Sequence, residues 1–353
     1  MLQSKGPIRV LVVDDSATIR RVVSAELNKQ ADINCIDGAA DAFEARERIK
    51  AERPDVLVLD VEMPRMSGLD FLRKVMKLRP MPVVMFSALT QSGSHDAVEA
   101  LSIGAFDCLG KTADMLHDGT MDSLPNLIRA AAASNIGGTV KAAPAASGAS
   151  PKPTVARSAT EHVVLIGSST GGVDALETVL SGFAADCPPT LITQHMPAEF
   201  LASFAGRLDG SMAPRVKLAE NNEPLAQGHV YLAPGGDYHL ALQPGTTPRC
   251  ILDPQGKVSG HRPSVNVLFR SAVPMASKVV AAILTGMGAD GAEGMTELRH
   301  AGARTMAQDA ATSTVFGMPR VAWEMGGAEQ LVPLDKVSKT ILDLCSHDHR
   351  QPA

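Results

Sequence analysis

The sequence predicts an α/β protein of two domains, each a parallel sheet wound with helices on both faces, joined by a flexible linker. Three observations predict it. From residue 7 to about 130, short β-branched runs alternate with helical patterns, the pattern of βα units around a sheet buried on both sides. The same alternation resumes at His162 and continues to about residue 345. Between them, residues 131–160 are mostly Ala, Pro, Ser, Gly and Thr, without aromatics or periodicity, a composition that cannot bury enough surface to fold. The expected organisation is therefore a domain over 1–130, a linker over 131–160 and a second domain over 161–353. A chain of 353 residues, 45% of them hydrophobic, supplies two ordinary cores.

Composition excludes several function classes. There are 33 Lys and Arg against 38 Asp and Glu, a net charge of -5, which argues against nucleic acid as the main partner because phosphate neutralisation needs a positive patch. Aromatic residues, at 3%, leave little for base stacking. The five cysteines, Cys35, Cys108, Cys187, Cys250 and Cys345, are odd in number, widely spaced and without a CxxC pair, so neither a disulfide framework nor a zinc site is indicated. That usage fits a reducing cytoplasm. Ile8–Val13 is too short for a signal peptide and ends in two aspartates, and no apolar run reaches membrane-spanning length, so no membrane insertion is expected.

In the first domain the strand candidates are Ile8–Val13, Asn34–Ile36, Val56–Leu59, Pro82–Phe86 and Phe106–Leu109. Asp14 and Asp15 follow the first and Asp60 the third, and in a parallel sheet those ends share one edge. Three carboxylates converging there repel one another unless a cation sits between them, and hard oxygen ligands favour Mg²⁺. Ser87 after the fourth strand and Lys111 after the fifth add a hydroxyl and a fixed positive charge. Such a set suits phosphoryl transfer to a carboxylate, although Asp14 and Asp15 also read as caps of the following helix.

The second domain opens with the apolar run Val163–Ile166, stopped by Gly167-Ser168-Ser169-Thr170-Gly171-Gly172. Gly167-x-Ser169-x-Gly171 fits a nucleophile elbow, in which glycines turn a strand into a helix and expose the serine hydroxyl. Val173, Leu176, Val179 and Leu180 recur at helical spacing just beyond it. Thr190–Gln194 reads as a strand ending at His195, and Lys278–Thr285 as one ending in Gly286-Met287-Gly288-Ala289-Asp290-Gly291. If these strands lie parallel to the one carrying Ser169, serine, histidine and aspartate meet at one sheet edge as a triad: Ser169 the nucleophile, His195 its general base, Asp290 the carboxylate that orients the imidazole. The order Ser…His…Asp differs from the Ser…Asp…His of α/β-hydrolases and argues against that fold. The N–H groups of Thr170 and Met287 are the expected oxyanion donors, the first because it follows the nucleophile, the second because its glycine-flanked loop permits close approach.

A rival reading uses the same loop. Gly286-x-Gly288-x-x-Gly291 matches a dinucleotide fingerprint after an apolar strand, with Asp309 downstream as a ribose-binding acid. Against it, the fingerprint normally opens a nucleotide domain and here lies deep within one.

Residues 7–130 resemble a response-regulator receiver domain, of flavodoxin-like fold. The resemblance implies Asp60 as phosphoacceptor, Asp14, Asp15, Asp60 and the Glu62 carbonyl around Mg²⁺, and Ser87 and Lys111 as the phosphate-sensing pair. Met63-Pro64-x-Met66-x-Gly68 matches the family's loop after the phosphoacceptor. Cys108 stands where the family usually has an aromatic residue and Thr112 where it has proline. Residues 160–345 resemble the chemotaxis protein-glutamate methylesterases, of Rossmann-like fold. The resemblance rests on Ile166–Gly172, Gln194–Pro197, Val230–Gly235, His261–Val265, Leu284–Gly291, Ala307–Asp309 and Val315–Pro319. It implies the same triad, hydrolysis of glutamate methyl esters on chemoreceptor cytoplasmic helices, deamidation of particular glutamines, a sensor histidine kinase as phosphodonor, and no cofactor in the esterase domain. Asn266 stands where aspartate is common and Ala310 where glutamate is usual. A receiver tethered to an esterase suggests a switch in which the unphosphorylated receiver covers the Ser169 face and phosphorylation of Asp60 releases it.

Overall fold

The computed structural model describes residues 6–88, 90–111, 120–134 and 161–346. Thr112, the linker from residue 135 onward and the tail from residue 347 lie outside the described residues. The chain divides into two compact units, residues 1–145 and 146–353.

The first unit runs β1 (Ile8–Val13), α1 (Ala17–Leu27), β2 (Ile33–Cys35), α2 (Ala42–Glu52), β3 (Val56–Asp60), α3 (Gly68–Leu78), β4 (Val83–Ala88), α4 (Gln91–Ile103), β5 (Asp107–Lys111) and α5 (Thr120–Ala133). Its five strands are parallel in the order β2-β1-β3-β4-β5, the flavodoxin-like doubly wound order. Every residue of β3 is buried, which is why that strand reads as an unbroken apolar run up to Asp60. All five expected strands form. Helix α5 continues to Ala133 with Ala131 buried, so the chain stays helical three residues past the expected linker boundary at 131.

The second unit runs β6 (Val163–Ser168), α6 (Gly172–Leu180), β7 (Thr190–Gln194), α7 (Ala198–Ser211), β8 (Arg215–Leu218), β9 (Glu223–Pro224), β10 (His229–Leu232), β11 (His239–Gln243), β12 (Arg249–Asp253), α8 (Val265–Ser271), β13 (Val279–Ile283), α9 (Ala292–His300), β14 (Arg304–Gln308), α10 (Met318–Glu324), β15 (Gln330–Val332) and α11 (Leu334–Ser346). Seven strands form a parallel sheet in the order β15-β14-β13-β6-β7-β10-β8. Strands β11, β12 and β9 form a separate antiparallel sheet, which the alternation of βα units did not announce. A 3₁₀ turn, Val273–Lys278, takes the start of the segment expected as strand from Lys278, so β13 begins at Val279.

Both sheets reverse winding direction beside their first strand, and ligands of open α/β sheets bind at the carboxyl ends of the strands at such a switch point. In the first unit the switch lies between β1, which Asp14 follows, and β3, which ends at Asp60. In the second it lies between β6 and β13, which lead into Ser169 and the Gly286 loop. No helix among the described residues is long and apolar enough to cross a membrane.

Candidate active site

At the switch point of the first unit, Lys111 Nζ sits 2.7 Å from Asp14 Oδ2 and 2.7 Å from Asp60 Oδ1. Asp14, Asp15 and Asp60 bring carboxylate oxygens within 4.8 Å of one another, and with Lys111 and Glu62 they line a cavity of about 250 Å³. Burial pushes the Asp60 carboxyl up to about 6, Asp14 adding to the effect and Lys111 opposing it. Burial also works against the Lys111 charge, but the two carboxylates outweigh it and hold its pKa above the usual value. Asp60 therefore holds its proton because it is buried, and Lys111 holds its own because two carboxylates face it. Helix α1 is capped by Ser16, whose hydroxyl accepts from Ile19 N–H, while Asp14 Oδ1 accepts from Ser16 N–H. The loop after Asp60 closes tightly: Gly68 N–H donates to the Val61 carbonyl, and a Cβ on Gly68 would lie 2.0 Å from the Asp60 carbonyl oxygen. Ser87 is fully buried and its Oγ lies 3.1 Å from the Gly93 carbonyl of α4, outside the cavity lining. Cys108 is buried in β5.

In the second unit β6 ends at Ser168, and the turn to α6 is made at Gly171, whose φ of 77° lies in the left-handed region; Ser169 itself keeps a negative φ. The reversal strain thus falls on a glycine and not on the serine. Ser169 N–H donates to the Thr285 carbonyl, two residues past β13, and the Ser169 carbonyl accepts from Gly172 N–H. A Cβ on Gly286 would stand 2.7 Å from Ser169 Cβ and 2.5 Å from Met318 Sδ, so only glycine lets the Met287 loop lie against the serine. Thr170 is buried and Met287 half-buried on the two sides of this contact.

His195 follows β7, the other neighbour of β6. The side chain of Gln194 fixes the junction: its Oε1 accepts from Ser168 Oγ at 2.6 Å, and its Nε2 donates to the Ser169 carbonyl at 2.9 Å and the His195 carbonyl at 3.0 Å. His195 N–H donates to the Ser168 carbonyl. One buried amide thus ties together the backbones that carry serine and histidine.

His195 Nε2 lies 2.8 Å from Asp290 Oδ2, although the two are 95 residues apart in sequence. Asp290 also accepts from Ser264 Oγ at 2.8 Å, Val265 N–H at 2.6 Å and Asn266 N–H at 3.2 Å. It therefore caps α8, not the helix α9 that follows it. Burial works against its charge, but the His195 contact and these donors prevail and hold its carboxyl below the usual range. With Nε2 on the carboxylate, the other ring nitrogen, Nδ1, is buried and has no partner among the described residues. The ring is used in the reverse sense of the usual arrangement, in which Nδ1 meets the acid and Nε2 the serine.

His261 stacks on His195, with ring centroids 3.8 Å apart and planes 7° from parallel. Burial, then the neighbouring His195 imidazole and Lys257, push the His261 imidazole down to about 4, against the pull of Asp290. Asn266 is buried; its Oδ1 accepts from Gly294 N–H and its Nδ2 donates to Ser259 Oγ. Nothing in the spacing of His261, Ser264 or Gln194 announces these contacts; the one signal is that each sits inside a segment carrying the resemblance. Of the fingerprint residues, Gly286 and Asp309 are engaged within the protein itself. Gly286 exchanges backbone bonds with Val315 and Met318, and Asp309 is turned onto its own loop, accepting from Thr312 N–H and Oγ1.

Both units resemble known proteins. Residues 164–341 match the CheB methylesterase family and residues 10–117 the response regulator receiver domain. The chain is 50% identical over 343 residues to a protein-glutamate methylesterase/protein-glutamine glutaminase 1 of Caulobacter vibrioides, covering 96% of this chain and 98% of that one. It is likewise 50% identical over 341 residues to a protein-glutamate methylesterase/protein-glutamine glutaminase of Rhizobium etli, covering 96% and 97%. A crystal structure of the Thermotoga maritima CheB methylesterase catalytic domain superposes with a TM-score of 0.50 at 37% identity, covering 52% of this chain and 98% of that one.

Proposed function

The chain belongs to the CheB methylesterase family, with a response regulator receiver domain ahead of the esterase unit, and from that premise we propose that Ser169, His195 and Asp290 carry out the hydrolysis. The protein is a carboxylic ester hydrolase, a phosphorylation-regulated protein-glutamate methylesterase. The observation that carries the site reading is the His195–Asp290 contact at 2.8 Å, made beside the turn that bears Ser169.

Ser169 Oγ attacks the carbonyl carbon of the glutamate γ-methyl ester while its proton passes to Nδ1 of His195, the nitrogen left by the Nε2 contact with Asp290. The tetrahedral oxyanion is met by the backbone N–H groups of Thr170 and Met287, and losing one such donor typically costs about 10²–10³ in turnover. As the intermediate collapses, the imidazolium returns the proton to the departing methoxide, releasing methanol and leaving an acyl ester on Ser169. Water, deprotonated by the same imidazole, attacks that ester; a free glutamate carboxylate leaves and the serine is restored. Attack on a glutamine side chain by the same steps releases ammonia, which accounts for a glutaminase activity carried by the same catalytic side chains.

A receiver domain binds Mg²⁺; here the converging acids Asp14, Asp15 and Asp60, with the Glu62 carbonyl that the resemblance implies, would hold it. Their close approach in one polar cleft fits a hard divalent ion, which supplies charge neutralisation for the incoming phosphoryl group. Asp60 accepts the phosphoryl group from a sensor histidine kinase, with Lys111 beside it to pair with the phosphoryl oxygens and Ser87 to change partners. The substrates are methylated glutamates on chemoreceptor cytoplasmic domains, and the site of action is the cytoplasm. We further propose that the bare receiver restrains the esterase.

Methanol release from methylated receptors tests both levels. Ser169→Ala is expected to abolish it, and survival of release in that variant would overturn the triad. A small-molecule phosphodonor is expected to raise release by the intact chain and not by Asp60→Asn; equal stimulation of both would overturn the role of Asp60.

A further inference from the structure

We propose that His261 is a positioning residue for catalysis: its flat ring, stacked on His195, fixes the plane of the general base through each change of its charge. The inference rests on the Ser169–His195–Asp290 reading above. A ring held only through Nε2 on Asp290 can still swing about that axis, and the swing would carry Nδ1 away from the serine. A second ring 3.8 Å away and nearly parallel removes that freedom.

The stack is built, not incidental. Val258 and His261 exchange both backbone hydrogen bonds, each 3.0 Å, around a two-residue turn. Ser259 and Gly260 have φ of 53° and 81°, so both turn residues are left-handed, as the tightest hairpin turn requires. Asn266 holds this turn through Ser259 Oγ while its own backbone N–H donates to Asp290, so the platform for His261 and the acid behind His195 hang on one residue. On the other side Arg262 anchors the loop, its Nε donating to the Gly236 carbonyl at 2.7 Å and its Nη2 to Asp237 Oδ1 at 2.9 Å. The His261 ring makes no hydrogen bond among the described residues, so what it offers His195 is its face. A neutral π-face against the imidazolium is favourable, whereas a charged His261 would repel it. The ionisable groups around it are His195, Asp290 and Lys257, and the balance of burial and these charges keeps His261 neutral down to about pH 4.

The test is methanol release by full-length His261→Ala, His261→Gln and His261→Phe, with proton NMR of the low-field His195–Asp290 signal. His261→Ala and His261→Gln are expected to lower kcat about tenfold with KM changed less than about twofold, and the flat ring of His261→Phe to restore kcat to within about threefold of the parent. The low-field signal should stay sharp in the parent and His261→Phe and broaden in the other two. Thermal melting identifies any variant that fails to fold; should His261→Ala fail, the contrast between His261→Gln and His261→Phe decides alone. Parent-like kcat in His261→Ala or His261→Gln, or a folded His261→Phe as slow as His261→Gln, would overturn the proposal. Loss of Ser169 dependence in the parent would instead overturn the triad itself.

Discussion

Replacing Gln194 by Met keeps the side-chain volume and removes the three hydrogen bonds that join the serine and histidine backbones. The Ser169 carbonyl keeps its bond from Gly172 N–H, but the fully buried Ser168 hydroxyl and the part-buried His195 carbonyl lose the amide. At about 1–3 kcal/mol for each polar group left unpaired, the loss is about 3 kcal/mol. For a unit of this size that lowers Tm by roughly 6–12 °C. The strands stay paired, so the unit still folds, but Ser169 and His195 are no longer fixed to each other, and kcat should fall by about ten- to a hundredfold. The assay is the melting transition of the esterase unit in the intact chain, alongside methanol release. Adding Ser168→Ala to Gln194→Met supplies a check on sign: removing the orphaned hydroxyl should recover about 1 kcal/mol, whereas Ser168→Ala alone should destabilise. A Gln194→Met protein within about 2 °C and twofold of the parent, against the changes expected above, would refute the idea that this amide aligns the site.

Three further outcomes follow from the geometry. Gly286→Ala drives a methyl group to 2.7 Å from Ser169 Cβ and should cost about 1–3 kcal/mol of stability and at least tenfold in kcat, read by melting and methanol release. Gly68→Ala meets the Asp60 carbonyl oxygen at 2.0 Å, so the receiver should melt earlier and accept phosphate from a small-molecule donor more slowly while unstimulated esterase activity does not fall. His261 stays neutral in the fold to about pH 4, whereas an unfolded imidazole takes a proton near 6.5. Between those values the unfolded chain binds the extra proton, so this contribution to stability is whole above about pH 6.5 and lost as the pH falls towards 4. Melting at several pH values should show that slope in the parent and a flatter one in His261→Phe.

Much of this architecture is legible in the sequence because parallel strands buried on both faces leave unbroken apolar runs, and their polar residues mark where they end. Asp14 and Asp60 are the first polar groups after such a run, and Ser169 and His195 come within three residues of the last aliphatic residue of theirs, which is why they could be placed on a sheet edge from spacing alone. Of the antiparallel strands, β9 spans two residues, and β11 and β12, five residues each, are set between Pro- and Gly-rich turns that mask them as loop. The contacts of Gln194, Ser264 and His261 were illegible for a different reason. Each depends on which loop folds over which strand end, and local propensity carries no information about that. Asp290 shows both sides: its position after β13 marked it, but the helix it caps is the one before that strand, and only the folded chain reveals it.

That double use of Asp290 separates two kinds of dead enzyme. A catalytic side chain is commonly a thermodynamic liability, so its removal tends to make a protein harder to melt. Ser169, the proposed nucleophile, is half-buried and committed to no side-chain bond among the described residues, so its removal should follow that rule and leave the fold as stable as the parent. Asp290 does not, since its carboxylate is also what closes the start of α8. On the proposed reading, selection for stability alone, blind to turnover, would let the nucleophile drift and would still retain the acid.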